Sequence, residues 1–160
     1  NKIRQNFEPI SVTTILTKAI ENVETHATRK AIEIHTSVNE PLDLIYGDEG
    51  TLVESLVNII GNAVKYSQFE SQINVAAEQK GENILISVAD NGVGIPAEDQ
   101  PFIFNDFFVA SSAPEDARGS GLGLALTRRI IETHDGTISV ESEPGEGSTF
   151  LISLPVHRID

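Results

Sequence analysis

The sequence contains no cysteine and no methionine. The lack of cysteine excludes disulfide bonds and cysteine–zinc sites, and it is compatible with a reducing compartment. No apolar run approaches the roughly 20 residues that span a bilayer, and no signal peptide is visible. We therefore expect this part of the protein to be cytoplasmic, whether or not its parent is anchored in a membrane. Because the chain starts at Asn1 and has no methionine, we expect it to be a fragment of a longer protein.

Basic residues are also scarce: 11 Lys and Arg stand against 24 Asp and Glu, for a net charge of −13. This charge argues against a nucleic acid or an anionic membrane as partner, because their phosphates would repel the chain. A polyanion such as ATP can still bind where local Lys or Arg, backbone N–H groups and a metal ion meet it. With 160 residues and 39% hydrophobic content, the chain is long enough for one domain with a core.

Hydrophobic periodicity predicts the order of helices and strands. Helices are predicted from Ser11 to about Arg29 and from about Glu49 to Ser67. A third helix is predicted to begin in the glycine-rich stretch 119–124 and to continue to about Thr133. Extended segments are predicted at 32–38 and 42–46, as a hairpin over 73–90, and as a closing pair at 137–141 and 148–154. We assign 1–10 to the end of an upstream helix or a linker, 11–155 to one domain, and 156–160 to a C-terminal tail.

A carboxylate stands at the end of the predicted strand 84–89. Asp90 can accept a hydrogen bond from an exocyclic amine, and Gly92 and Gly94 let the backbone turn and approach a ligand. Ile95 adds a flat apolar surface, so the stretch suits an adenine ring. The alternative is an ordinary Asp-Asn-Gly turn after a strand.

One face of the second helix carries polar side chains at helical spacing: Glu54, Asn58, Asn62 and Lys65. Asparagine is a poor helix former, so two of them one turn apart need an explanation. One interpretation is a metal and phosphate site, in which amide oxygens bind Mg²⁺ and Lys65 meets phosphate. The other is a solvated helix face.

The aromatic segment 102–108 is followed by a long polar connector, 109–118, which we interpret as a lid. Next, Gly119-Ser120-Gly121-Leu122-Gly123-Leu124 opens the third helix. Glycines before a helix expose N–H groups at the positive end of the helix dipole, which favours phosphate. Their spacing fits neither the Rossmann nor the P-loop pattern.

Four stretches, in this order, resemble the N, G1, F and G2 boxes of sensor histidine kinases: Asn58 to Ser67, Asp90 to Gly94, Ile103 to Phe108, and Gly119 to Leu124. The resemblance implies an α+β fold, namely the two-layer α/β sandwich of the Bergerat type shared with gyrase B and mismatch-repair ATPases. Its sheet is mixed and mostly antiparallel, with helices on one face.

The resemblance also implies roles for single residues. Asp90 would hold the adenine amine, Asn62 would bind Mg²⁺ with Asn58 beside it, and Lys65 and Tyr66 would contact phosphate and nucleoside. Further nucleotide contacts are implied at Gly92, Gly94, Ile95, Phe104, Arg118, Gly119, Gly121, Leu122, Gly123, Leu124 and Thr149.

The chemistry implied is transfer of the ATP γ-phosphoryl group to a histidine on a separate dimerisation domain, with Asn58 and Lys65 as catalytic residues. At the position of Asn58 the related hydrolysing enzymes have a glutamate that activates water, and an amide cannot take that proton. ATP and Mg²⁺ are the implied cofactors. A response regulator is the implied partner, and the parent protein would be a homodimer.

One departure from the family pattern leaves alternatives open. The F box usually carries an arginine where this chain has Asp106. Without that positive charge near the triphosphate, we expect weaker binding or transfer unless Arg118 substitutes from the lid. A degenerate module that binds a nucleotide or a partner without phosphotransfer is therefore one alternative. A gyrase-type ATPase is another, which Asn58 disfavours.

Overall fold

The computed structural model describes residues 4–106 and 123–158, and the side chain of Gln5 is left out of the description. Two short 3₁₀ turns lie at Arg4–Asn6 and Gln100–Phe102. The helices and strands in these ranges are, in chain order, β1 (Glu8–Ile10), α1 (Val12–Arg29), β2 (Glu33–Val38), β3 (Ile45–Gly47), α2 (Glu49–Tyr66), β4 (Gln72–Lys80), β5 (Asn83–Asp90), α3 (Gly123–Thr133), β6 (Thr137–Glu143) and β7 (Gly147–Pro155).

The main sheet has five strands in the order β2-β4-β5-β7-β6, so β2 and β6 are its edges. β2 runs parallel to β4, and the other neighbours are antiparallel. Alternate residues of the three central strands are buried and lie opposite one another, as Val75, Val88 and Phe150 do. These side chains share one core with the helices. The predicted mixed, mostly antiparallel sheet with helices on one face is confirmed.

Helix α2 is the central helix of the second layer and packs against both α1 and α3. Its apolar side is fully buried at Leu52, Leu56, Ile59 and Ile60. Removing an isoleucine or leucine side chain from water contributes about 1.5–3 kcal/mol, so this stripe fixes the rotation of the helix. The N-cap is Asp48, whose side chain accepts a hydrogen bond from the Thr51 N–H.

Both ends of the described chain pack on the domain. β1 pairs antiparallel with β3, and Ile10 is buried. At the other end, Val156 forms a bridge with Ile45, and Arg158 lies within ion-pair distance of Glu82. A three-residue strand is too short to show alternation, so the sequence gives no sign of β1. Within residues 4–106 and 123–158, no helix combines the length and apolar character needed to cross a bilayer.

Candidate functional site

Asp90 is the last residue of β5 and lies on the helix-facing side of the sheet, opposite Ile73 and Ser148. It is only 9% exposed. Its Oδ1 accepts hydrogen bonds from the backbone N–H of Gly92 at 2.8 Å and of Ser148 at 3.3 Å. Burial raises the pKa of this carboxyl, and the two N–H bonds act in the opposite direction. No described residue donates to Oδ2, so that oxygen is available to a ligand.

The loop after Asp90 runs very close to two other backbones. A side chain at Gly92 would overlap the carbonyl of Tyr66, at the end of α2. Gly94 has φ +73°, and a side chain there would overlap the carbonyl of Glu143 at the end of β6. Only glycine fits both positions. The loop is therefore held between the end of α2 and the β6–β7 hairpin.

Ser142 fastens this loop to the hairpin. Its Oγ accepts from the Ile95 N–H at 2.7 Å and donates to the Gly147 carbonyl at 3.0 Å. Because its one proton is used in this way, the Ser148 hydroxyl donates to Ser142 Oγ, at 2.8 Å. Gln100 Nε2 adds bonds to the Ile95 and Ser142 carbonyls. The sequence carries no local signal for Ser142 or Gln100.

Asn58, on the polar face of α2, lies against α3. Asn58 Nδ2 donates to Thr127 Oγ1 at 3.4 Å, and a Cβ added at Gly123 would come within 3.9 Å of Asn58 Cγ. The amide nitrogen faces Thr127, and none of the described residues donates to the amide oxygen of Asn58, so that oxygen can accept from or bind a ligand. Asn62, one turn later, is half-buried, and Lys65 is exposed. Asn58 thus lies beside the first turn of α3, whose N–H groups have no partner within the helix.

The remaining predicted residues divide into three groups. Phe104 is half-buried with its ring edge-on to Phe150, 6.2 Å between centroids, and Leu124 packs against the core. Thr149 is not brought to Asp90: it lies opposite Ala89, so alternation puts its side chain on the other sheet face from Ser148. Arg118, Gly119, Gly121, Leu122 and the predicted lid segment 109–118 lie outside the described residues.

Asp106, where the F box usually has an arginine, faces a cation from α3. Its Oδ1 lies 3.2 Å from Arg129 Nη1, and both side chains are more than half exposed. An exposed pair of this kind contributes at most about 1 kcal/mol. The arginine of α3 therefore offsets part of the negative charge of Asp106, a contact that the sequence does not predict.

Residues 47–158 match the family described as histidine kinase-, DNA gyrase B-, and HSP90-like ATPase. The chain belongs to this family. The match begins just before α2 and includes Asn58, Asn62, Lys65 and Asp90, so the geometry above is that of an ATPase-family domain.

Several curated proteins that are similar to this chain are sensor histidine kinases. The sensor-like histidine kinase SenX3 of Mycobacterium tuberculosis (strain ATCC 25618 / H37Rv) is 40% identical over 151 residues, which cover 94% of this chain and 37% of SenX3. The sensor histidine kinase ZraS of Escherichia coli (strain K12) is 34% identical, with 94% of this chain and 31% of ZraS covered. The chain thus spans about a third of the length of these curated relatives.

Solved structures of histidine kinases share the fold. The mycobacterial sensor histidine kinase MprB superposes with a TM-score of 0.81 at 27% identity, covering 95% of this chain and 99% of the MprB chain. Full-length ShkA in complex with AMPPNP gives 0.82 at 31% identity, covering 96% of this chain and 32% of ShkA. These likenesses confirm the predicted resemblance to sensor histidine kinases. They also confirm that the chain is an ATPase-type catalytic domain like the one in these kinases.

Proposed function

We propose that this domain binds Mg·ATP and transfers the γ-phosphoryl group to a histidine on a separate dimerisation domain. The observation that carries the proposal is Asp90, a buried carboxylate with one oxygen held by two N–H groups and the other bonded to none of the described residues. Such an oxygen is suited to accept from the exocyclic amine of adenine. A guanine presents an oxygen at the same place and would be repelled, so the site favours ATP over GTP.

The residues on α2 and α3 suit the phosphates and Mg²⁺. The oxygens of Asn58 and Asn62 are hard neutral ligands of the kind that Mg²⁺ accepts, and phosphate oxygens supply the charge. When bound, Mg²⁺ would neutralise charge that develops on the transferred group. Lys65 and the first N–H groups of α3, beginning at Gly123, would hold the phosphates. The predicted contacts at Arg118, Gly119, Gly121 and Leu122 belong to the same proposal.

Transfer is favoured over hydrolysis by the chemistry of Asn58. A general base that activates water contributes about 10²–10⁴-fold to a reaction, and an amide cannot accept the proton. ATP would therefore be held until a better nucleophile reaches it. Positioning by Lys65 and the two asparagines would supply the rest of the catalysis.

The partners follow from the same reading. The dimerisation domain would bear the phosphoacceptor histidine, a response regulator would take the phosphoryl group, and the parent would be a homodimer in a two-component system. Support comes from the sensor kinases that the chain resembles, and from ShkA, whose structure contains AMPPNP. A cytoplasmic location would give the domain its supply of ATP.

The test combines labelled ATP with the domain alone and with a cognate dimerisation domain added in trans. We expect little turnover and no self-labelling alone, and acid-labile phosphohistidine on the added domain. Steady hydrolysis by the domain alone would instead favour the gyrase-type ATPase. Binding of ATP without hydrolysis or transfer would favour the degenerate module, with Asp106 as the first residue to change to arginine.

A further inference from the structure

Lys30, directly after α1, reaches the end of α2. Its ammonium donates to the backbone carbonyls of Val64 at 2.8 Å, Lys65 at 3.2 Å and Ser67 at 2.6 Å. An ammonium has three donors, so these bonds use all of them. The same ammonium lies 5.6 Å from the ring centre of Phe69.

These carbonyls belong to the end of a helix, where the last C=O groups have no partner within the helix. They also carry the negative end of the helix dipole, which a cation stabilises. Lys and Arg side chains can bind the last carbonyls of their own helix, whereas Lys30 is the C-cap residue of the neighbouring helix α1. Lys30 therefore fixes the last turn of α2 to the end of α1.

The last turn of α2 is part of the candidate site. Lys65 belongs to that turn, and the carbonyl of Tyr66 lies against Gly92 so closely that no side chain fits between them. The Gly92 N–H in turn donates to Asp90 Oδ1. A shift of this turn would thus move Lys65 and disturb the bond that orients Asp90.

We propose that Lys30 is a positioning residue of the nucleotide site. It holds the last turn of α2 against the loop after Asp90, and so fixes the distance between the base-recognising carboxylate and the phosphate-binding face. This inference rests on the proposed function, because it takes Asp90 and Lys65 to be nucleotide contacts. Because all three donors of the Lys30 ammonium are used on backbone carbonyls, we assign Lys30 no direct contact with the nucleotide.

The test compares Lys30→Met with Lys18→Met. Lys18 also joins α1 to α2, through Glu49 at 2.9 Å, but it does so at the other end of the helices. Calorimetry with ATP and with inosine triphosphate, which lacks the exocyclic amine, measures both affinity and base discrimination. We expect Lys30→Met to lose about tenfold in ATP affinity and part of the discrimination, and Lys18→Met to keep both.

A second readout needs no nucleotide. Hydrogen exchange at the Gly92 amide should become faster in Lys30→Met and stay unchanged in Lys18→Met; Lys30→Gln replaces the methionine variant if that one fails to fold. A folded Lys30 variant with unchanged ATP affinity, unchanged discrimination and unchanged Gly92 exchange overturns the inference. Failure of the unmodified domain to bind ATP, or to prefer it over inosine triphosphate, overturns the proposed function and this inference with it.

Discussion

The two halves of the candidate site are built differently. On the base side, the Asp90–Ile95 loop is held by a network of hydrogen bonds to the β6–β7 hairpin, with Ser142 at its centre. On the phosphate side, Asn58 makes a 3.4 Å bond to Thr127, and Lys65 is exposed. The base side is formed before any ligand arrives, whereas the phosphate side has polar groups that phosphates and Mg²⁺ would draw together. Substitutions on the base side should therefore reduce ATP affinity more than substitutions on the phosphate side.

The largest effect should follow Asp90→Asn. The amide keeps an oxygen for the Gly92 N–H but presents an NH₂ group where the adenine amine needs an acceptor. Losing a charge-assisted hydrogen bond of about 2–3 kcal/mol corresponds to roughly a hundredfold in ATP affinity by calorimetry. Unchanged affinity would remove Asp90 from the adenine role.

The same substitution should leave the ligand-free domain at least as stable as before. Because burial raises the folded-state pKa of Asp90 above its unfolded value, the ionised carboxyl reduces stability at neutral pH. The reduction disappears as the pH falls through the folded pKa toward the unfolded one. Asp90→Asn lacks this titration. In chemical denaturation, its advantage in the free energy of unfolding over the unmodified domain should therefore be greatest at neutral pH and shrink as the pH falls.

Gly94→Ala should test the close approach on the base side. Alanine would meet the Glu143 carbonyl and would adopt φ +73°. A positive φ alone costs about 1–2 kcal/mol, and the overlap adds to it. Gly145→Ala is the matched control, since that residue has φ +82° and a Cβ added there would meet no heavy atom within 4 Å apart from its own chain neighbours. Equal losses in chemical denaturation would show that the contact with the hairpin contributes nothing.

Asn58→Ala should have a smaller effect, confined to the phosphate side. We expect about a tenfold loss of Mg·ATP affinity and little change for adenosine, which has no phosphates. Thr127→Val serves as a comparison, because it removes the bond to Asn58 while keeping the Asn58 oxygen. An equal loss for adenosine would mean that Asn58 supports the whole pocket and not the phosphate side alone.

The smallest effect concerns the pH dependence of stability and involves His134. This residue follows the last residue of α3 and contacts the start of α2, at the ends of both helices that are remote from the site. Its Nε2 accepts from the Asp48 N–H at 3.0 Å, so the ring proton is on Nδ1, 2.7 Å from the Ile130 carbonyl. Burial lowers the pKa of His134 below its ordinary value of 6.5. Its contribution to the free energy of unfolding is therefore complete above about pH 6.5 and decreases as the pH falls toward the folded pKa.

Urea denaturation between pH 5 and 8 would measure this decrease. His134→Gln removes the titrating group and should flatten that part of the profile. Charged groups near the ring, Arg4, Asp48 and Asp135, remain in the variant and serve as an internal control. An equally steep profile in His134→Gln would assign the pH dependence to other residues.

Local patterns in the sequence predict the helices, the hairpin and the position of Asp90 well, because burial repeats every 3.6 or every 2 residues. Thr149 shows that local patterns do not predict which face of a strand meets the site. Which residue of β7 faces the site depends on its register with β5, and a shift of one residue exchanges the two faces. The position of Lys30 at the end of α2 depends on the packing of α1 against α2, and no local pattern encodes that packing.

The edges of the sheet have a consequence for solubility. Within residues 4–106 and 123–158, β2 and β6 each pair with a strand on one side only, and an unpaired strand edge is a route to aggregation. Exposed carboxylates stand on both edges, at Glu33 on β2 and at Glu141 and Glu143 on β6. Two copies brought edge to edge would set these like charges against each other, within a chain of net charge −13. The acidic edges therefore oppose self-association of the sheet at high concentration.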